Sequence, residues 1–512
     1  MLARMPNFII AHDLGTTGNK ATLYDREGRL AGAAFHAYDT EYAHTGWAEQ
    51  NPQDWWRAVC SSTRQLLAET RVPADDIACI TFSGQMMGAV PLDKQARPLR
   101  NAIIWADQRA LAQERAIGGV VSFDDMYQIS GHRLSASYSL AKILWLRDNQ
   151  PDIYAQTHKF MQAKDAIVAR LTGEFVTEPS DASSTNLYDL RRGEWSAQII
   201  DAVQLDADKL PQLRQSTDVV GAVRADVADE VGVLAGTPVV IGGGDGACAA
   251  AGAGVVSEGS AYNYVGSSSW IAISTPAPIY DPAHRTFTFG HVIPDMFMPT
   301  GTMQAAGASY QWTRDQLASL EAETAERLGI NVYELMNLQI EKILPGAEGL
   351  FFLPYLLGER SPRWNPHARG AFIGLTIRHT RAHMLRAVLE GVTLNLRVIL
   401  DAFRAQGTQI DAMRLIGGGA SGRVWNQIMA DIYGLPVKRL SILEEATSMG
   451  AALVGGVGVG MYAGFEMSEQ MNRVAATIPP EPSNQALYEK MLPLFDRLYA
   501  SFAPVFDEIA EL

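Results

Sequence analysis

The sequence predicts an α/β protein of two related domains that face each other across a cleft, with the boundary near residue 256. The chain has 512 residues, the length of two domains of about 200–250 residues each. Short apolar runs of strand character alternate with segments of helical spacing. One order of signals also occurs in both halves: two strands joined by a tight turn, then a Gly-Gly-Gly turn after a short apolar strand. In the first half these are "DLGTTGNK" (13–20) and "VVIGGGDGA" (239–247); in the second they are "VGSSSW" (265–270) and "RLIGGGASG" (414–422). The domains are accordingly 1–256 and 257–512.

The elements follow in order. "FIIAHD" (8–13) and "KATLYD" (20–25) read as strands joined by the Gly/Thr turn, and a third antiparallel strand follows "REGRL" (26–30). "PQDWWRAVCSSTRQLLAETR" (52–71) has helical spacing after an Asn51-Pro52 start, and "DDIACITFSG" (75–84) returns to a strand. "SAYNYVGSSSWIAIST" (260–275) is again strand, turn, strand. Each Gly triplet reads as leading into a helix of small residues, the second beginning near Ser421. No Pro-rich linker or low-complexity tract separates the halves, so the domains pack directly and hinge about a small ligand site between them.

Composition narrows the function classes. Hydrophobic residues make up 47% and charged residues 19%, ordinary for a soluble globular chain. The net charge of −14 argues against a non-specific nucleic-acid or anionic-membrane binder. A phosphorylated ligand must then be bound locally, by backbone N–H groups, helix N-termini and a metal ion. The three cysteines, Cys60, Cys79 and Cys248, have no metal-ligand or disulfide spacing. The start "MLARMPNFIIAHD" meets a charge too soon for a signal peptide. "AALVGGVGVGMYAGF" (451–465) is too short and Gly-rich for a membrane span. The expectation is a cytoplasmic protein.

Three turns and one acid carry the candidate chemistry. Thr16 and Thr17 offer hydroxyls and amides to phosphate oxygens. Asp13, at the mouth of that turn, suits a magnesium ion held through water, and Lys20 suits a phosphate as a point charge. A plain hairpin turn explains the same residues. Gly266, Ser267 and Ser268 form a second donor nest, and the two nests together make a clamp for a polyphosphate. Gly417, Gly418 and Gly419 allow close approach of a flat ligand. Without a G-x-G-x-x-G context that ligand is a mononucleotide rather than a dinucleotide. Asp245 is the only charge between residues 231 and 256, and an isolated ionised carboxylate is costly to bury. It is either a helix cap or a general base that takes a hydroxyl proton as that oxygen attacks a γ-phosphate.

These segments resemble the FGGY family of carbohydrate kinases over roughly residues 7–465. The resemblance implies two actin-like, ribonuclease-H-like ATPase domains flanking a central cleft, with sugar on the N-terminal side and nucleotide on the C-terminal side. "DLGTTG" resembles the family's first phosphate turn. "GWAEQNPQDWW" (46–56), "SLAKILWLRDN" (139–149) and "SDASSTNLYDL" (180–190) resemble its sugar-side domain. "GGGDGA" matches the segment of the catalytic aspartate, which gives that role to Asp245. "AAGASYQW" (305–312) resembles a nucleotide-contacting helix start and implicates Gly307 and Gln311; "GGGASGRVWNQIMAD" resembles the adenosine site and implicates Gly418, Gly419 and Arg423. "LPYLLGERSPRWNPHARGAFIGL" (353–375) matches at length; its charged part "GERSPRWNPHARG" (358–370) reads as a solvated loop by composition, and the resemblance implies a buried interdomain loop instead. ATP, Mg²⁺ and a homodimer are implied with the family.

"SGQMMGAVPLD" (83–93) and "WADQRA" (105–110) resemble the sugar-contacting turns of members that phosphorylate xylulose, which implicates Met86, Met87, Trp105 and Asp107. Those members usually carry Met-His where this chain has Met86-Met87. A thioether replaces a hydrogen-bonding imidazole, a change of about 1–3 kcal/mol in preference among sugars. Core packing at a strand end is the other reading of the two methionines. Of the ten tryptophans only Trp105 is read as facing the cleft. The resemblance implies ATP-dependent phosphorylation of a ketose, D-xylulose ahead of ribulose, L-xylulose or a polyol. A nucleotide-dependent sugar sensor on the same scaffold is the alternative.

Overall fold

In the computed structural model, which describes residues 6–512, each half of the chain builds a seven-stranded mixed sheet. The first half contains β1 (Phe8–Leu14), β2 (Gly18–Asp25), β3 (Leu30–Ala37), helix α1 (Pro52–Thr70), β4 (Ile77–Gly84), the short helix α2 (Pro179–Ser183), β5 (Val219–Ala222), β6 (Pro238–Val240), β7 (Gly243–Gly244) and α3 (Asp245–Gly252). Asn51 caps α1 by accepting from Gln53 N, with Pro52 in the first turn, a start that satisfies an orphan donor and needs no N–H from proline. The second half contains β8 (Ala261–Val265), β9 (Ser269–Ile273), β10 (Phe287–Gly290), β11 (Phe297–Met303), α4 (Gly307–Leu317), α5 (Arg381–Ala405), β12 (Met413–Ile416), α6 (Arg423–Tyr433), β13 (Val437–Leu440), α7 (Ala446–Gly458) and β14 (Val474–Ile478).

The sheets share a five-strand core order and differ at their edges. The first runs β5-β6-β4-β1-β2-β3 with β7 beside β4, and the second runs β10-β11-β9-β8-β12-β13-β14. Each opens with an antiparallel meander. A strand parallel to the first of that meander follows, β4 or β12. Another parallel strand comes next, β6 and β7 in one sheet and β13 in the other. This is the ribonuclease-H-like pattern, present twice.

The two Gly triplets, however, are not equivalent members of the repeat. "RLIGGG" ends β12, the fourth core strand of its sheet, whereas "VVIGGG" belongs to the fifth strand of the first sheet. Nor does the second triplet lead into small residues. It forms a 3₁₀ turn over Gly418–Ser421, and α6 starts at Arg423 with large apolar side chains on its buried face.

The true counterparts are α3 and α7, which follow the fifth strand of each sheet. They cross at the seam and share one core with both sheets: Ile9, Ala11 and Cys79 from the first, Tyr262, Ala272 and Ile416 from the second. The contact is backbone on backbone. A Cβ on Gly252 would lie 1.9 Å from Ala446 O, and one on Gly450 would lie 1.8 Å from Cys248 O. The Gly-rich 451–465 segment is thus largely α7, a buried helix whose glycines admit a neighbour. Gly450→Ala is expected to lower stability by at least about 1–3 kcal/mol through overpacking, read as a lower urea midpoint. An unchanged midpoint would contradict the close crossing.

Candidate active site

Strand register sets the first part of the site. Lys20, Asp13, Ser83 and Gly243 lie in one row across β2, β1, β4 and β7. Asp245 comes two residues after Gly243, at the first position of α3. The cap position itself is Gly244 and no side chain caps the helix, so the simple helix-cap reading of Asp245 does not hold. Among the described residues its Oδ1 accepts only the Gly246 N–H, at 2.7 Å. The approach loop must be glycine. Gly242 has φ 76°, and its Cβ would fall 1.8 Å from Phe82 O.

Both acids are raised. Loss of water pushes the Asp245 carboxyl up to about 7, the Asp13 charge adds to this, and the Gly246 N–H opposes it. Desolvation likewise pushes Asp13 up to about 6 against the Ser83 hydrogen bond (3.1 Å) and the Lys20 charge. Asp245 also raises Tyr262 and Tyr264 of the second sheet, after desolvation, the leading cause for each. It therefore stands at the seam between the halves.

Around this pair, the Asp13 turn closes through Gly15 N–H to Gly18 O (3.0 Å), with Thr17 exposed at its tip. Thr16 Oγ1 accepts the Trp105 indole N–H at 2.9 Å. Lys20 Nζ lies 3.3 Å from Glu445 Oε1, in the second half just before α7, and is partly exposed.

The second half gathers its turns in one place. Gly307 N–H donates to Gly266 O (2.9 Å), and the N–H groups of Ala306 and Ala308 donate to Ser267 O (2.9 and 3.0 Å). A Cβ on Gly307 would lie 2.3 Å from Gly266 O, and one on Gly419 would lie 2.4 Å from Val265 Cγ1, while Gly418 faces open space. Gln311, one helical turn beyond Gly307, is exposed. Arg423 is exposed too, but it lines a neighbouring hollow with Ser421, Lys342, Arg386 and Asn484.

Between the halves lies a hollow of about 550 Å³, where Met87, Trp105 and Arg133 meet Glu359, Arg360 and Trp364. Met87 has φ 65°, with its N–H donating to Ser184 Oγ (3.2 Å) and its carbonyl accepting from Lys142 Nζ (2.8 Å). Two sequence-derived sugar contacts do not reach this hollow. Met86 is buried beneath the glycine loop, where a Cβ on Gly244 would lie 2.7 Å from its Sδ. Asp107 is fully buried and saturated by Ala48 N–H (2.6 Å) and the Arg109 fork (2.7 Å), with Arg109 seated on the Trp47 ring at 3.6 Å.

Sequence reasoning missed Ser83, Glu359, Arg360 and Trp364, the last left among the core tryptophans. The signal for three of them was the 358–370 segment, a largely buried or half-buried loop that helps wall the hollow. Glu359 accepts the N–H groups of Gln304 and Arg360 (both 2.8 Å), and burial pushes it up to about 8.

No group of three or more acidic, His or Cys side chains able to hold a metal occurs among the described residues. Two desolvated carboxyls, one of them at the mouth of the Thr16–Thr17 turn, do fit a hard divalent ion that takes most of its oxygens from phosphate and water. Among the described residues no helix is long and apolar enough to cross a membrane.

Two ribonuclease-H-like lobes, a Gly/Ser or Gly/Thr turn in each, an aspartate pair at the seam and a hollow between the halves are the parts of an actin-like ATPase scaffold. Comparison with known proteins places the chain within that class. The FGGY family of carbohydrate kinases matches through its N-terminal domain over residues 8–252 and through its C-terminal domain over 261–459. The chain belongs to the FGGY family of carbohydrate kinases. It is 34% identical over 494 residues to a xylulose kinase of Bacillus subtilis, covering 96% of each chain. It is 30% identical over 509 residues to a gluconokinase of the same organism, covering 99% of this chain and 98% of the relative. The crystal structure of a xylulose kinase from Rhodospirillum rubrum superposes with a TM-score of 0.90 at 28% identity, covering 98% of this chain and all of that one (100%).

A carboxyl titration by ¹³C NMR of the free protein is expected to give Asp245 a midpoint near 7. Asp13→Asn is expected to lower that midpoint, because it removes a like charge. A wild-type midpoint at the ordinary carboxylate value would contradict the desolvated setting. Both raised acids bind protons more tightly folded than unfolded. Their contribution to stability is therefore present below pH of about 4 and is lost as pH rises towards about 7, a slope that Asp245→Asn should reduce.

Proposed function

We propose that this carbohydrate kinase transfers the γ-phosphoryl group of ATP to a hydroxyl of a ketose, D-xylulose first, with Asp245 as general base. The observation that carries this is the position of Asp245: a partly exposed carboxyl at the seam, raised to about 7, at the end of a glycine loop. A base titrating near the working pH gives the best product of correct protonation and driving force. The acceptor sits in the hollow beside Met87 and Trp105, and Asp245 holds its hydroxyl and takes its proton. The Thr16–Thr17 turn and the Gly266–Ser267 turn hold phosphate oxygens from opposite lobes, and Gly307, Gln311, Gly418 and Gly419 line the nucleotide side, with Arg423 near its rim. Asp13 is the residue that would hold Mg²⁺. When bound, Mg²⁺ neutralises the charge that gathers on the transferring phosphate. Trp105, bonded to Thr16, ties the acceptor hollow to the phosphate turn. Residues 1–256 are the sugar side and 257–512 the nucleotide side, and closure of the two keeps water from accepting the phosphoryl group. The names of the xylulose kinase relatives support the choice of sugar.

One observation favours a second acceptor class. Arg133 and Arg360 face the hollow, and neither makes an ion pair among the described residues; the Arg133 guanidinium rests over the Trp364 ring at 4.8 Å. A sugar acid would give them a carboxylate partner, in keeping with the gluconokinase relative.

An ADP-release assay over a panel of ketoses, polyols and gluconate tests both. Steady turnover is expected with D-xylulose, and Asp245→Asn is expected to lower kcat by about 10²–10⁴-fold with little change in sugar affinity. Unchanged kcat would remove Asp245 from the role of base. Sugar binding without turnover in the wild-type chain would support a sensor instead, and preference for gluconate would support the acid reading. Met87→His is expected to raise the use of xylulose relative to other ketoses; an unaltered ranking would count against Met87 as a sugar contact.

A further inference from the structure

Directly behind the glycine loop lies a charged cluster with no solvent access. Lys164 Nζ is 2.5 Å from Asp165 Oδ1, 3.0 Å from Asp181 Oδ2 and 3.4 Å from Glu178 Oε1, and all four side chains are fully buried. Burying one ammonium with three carboxyls is costly unless each is tied down. Glu178 is the most tied of them. Its Oε1 accepts Ser180 Oγ–H (2.7 Å) and Asp181 N–H (2.9 Å), and its Oε2 accepts Ser216 Oγ–H (2.7 Å) and Ser180 N–H (2.9 Å).

That arrangement fixes the polarity of one hydroxyl. Ser180 has a single O–H proton, and it goes to Glu178, so towards the loop Ser180 can only accept. What it accepts is the N–H of Gly244, at 2.8 Å. Gly244 is the residue before Asp245. Gly242, Gly243 and Gly244 have no side chains to anchor the loop; its other ties among the described residues are the Gly242 N–H donating to Ser216 O (3.1 Å) and the pairings of Gly243 with Ser83 and of Gly244 with Gly84 on β4. Ser180 sits on α2, which also touches the second lobe: Gly290 N–H donates to Ser183 Oγ (3.0 Å), and a Cβ on Gly290 would lie 2.7 Å from Pro179 O. One short helix therefore grips the loop before the acid and the edge strand β10 of the other sheet.

We infer that Ser180, oriented by Glu178 and the Lys164 cluster, is a positioning residue for Asp245. Its hydroxyl fixes the peptide that aims the carboxylate at the acceptor hydroxyl, and through α2 it registers that aim against the second lobe. The inference rests on Asp245 as the base. A misplacement of the order of 1 Å at a reacting group costs about 10²-fold in rate, and that loss falls on kcat rather than on ground-state binding.

The test is a double-mutant cycle in the full chain, with ATP and the fastest sugar of the panel. Ser180→Ala is expected to lower kcat about 10–10²-fold, with KM for sugar and ATP changed by no more than about twofold. Ser180→Thr, which keeps the hydroxyl, is expected to recover most of that rate. Added to Asp245→Asn, Ser180→Ala is expected to change the residual rate by less than about twofold, because the group it positions is gone. An unchanged kcat in Ser180→Ala, or an equal loss in both backgrounds, would overturn the inference. If Ser180→Ala does not purify as folded protein, Ser180→Cys, with its weak sulfur acceptor, enters the same cycle and is read the same way. A normal kcat in Asp245→Asn alone would sink the base assignment itself, a result distinct from failure of the cycle.

Discussion

A carboxylate that must meet a ligand at a seam between two packed lobes needs a backbone narrow enough to reach it. The Gly242–Gly244 loop provides that backbone. It runs between β4, Met86 and Val292 of the second lobe, and a Cβ at any of its three positions would come within 2.7 Å of one of these neighbours. The tightness of the loop removes water from Asp245, and the loss of water raises its carboxyl. The fifth strand of the first sheet places the end of the loop beside Asp13, so the acids share one field and each favours a cation nearby.

The seam itself is made by the same economy of side chains. The helices α3 and α7 cross where Gly252 and Gly450 admit backbone carbonyls, and their small residues join both sheets in one core. Groups from distant parts of the chain then meet over that crossing. Lys20 reaches Glu445, and the hollow beside Met87 is walled partly by the 359–364 loop. In the proposed reaction the acid, the acceptor hollow and the phosphate turns draw on both lobes, so the relative position of the lobes would be part of the chemistry.

Much of this was legible locally. The first three strands, the Asn51-Pro52 helix start and the second hairpin follow from alternation and turn residues alone, and the isolation of Asp245 in an apolar stretch pointed to a special setting. What failed did so for a physical reason. An apolar strand ending in Gly-Gly-Gly arises wherever a parallel strand meets a close neighbour, so the two triplets look alike although one follows a fourth strand and one belongs to a fifth. Only the pairings, Val239 with Ile80 and Ala261 with Met413, separate them. Asp107 carries the right chemistry for a sugar contact, yet Ala48 and Arg109 consume it. Ser180 and Gly244 stand 64 residues apart in sequence, and no local pattern announces their bond.

The proposed transfer depends on the direction in which Asp245 points. A crystal structure of the chain with a non-hydrolysable ATP analogue, Mg²⁺ and its preferred sugar measures that directly. The acceptor hydroxyl should lie within about 2.6–3.2 Å of an Asp245 carboxylate oxygen, with the terminal phosphate on the opposite side of that hydroxyl. A sugar hydroxyl held by other groups, with Asp245 turned away from it, would contradict the assignment.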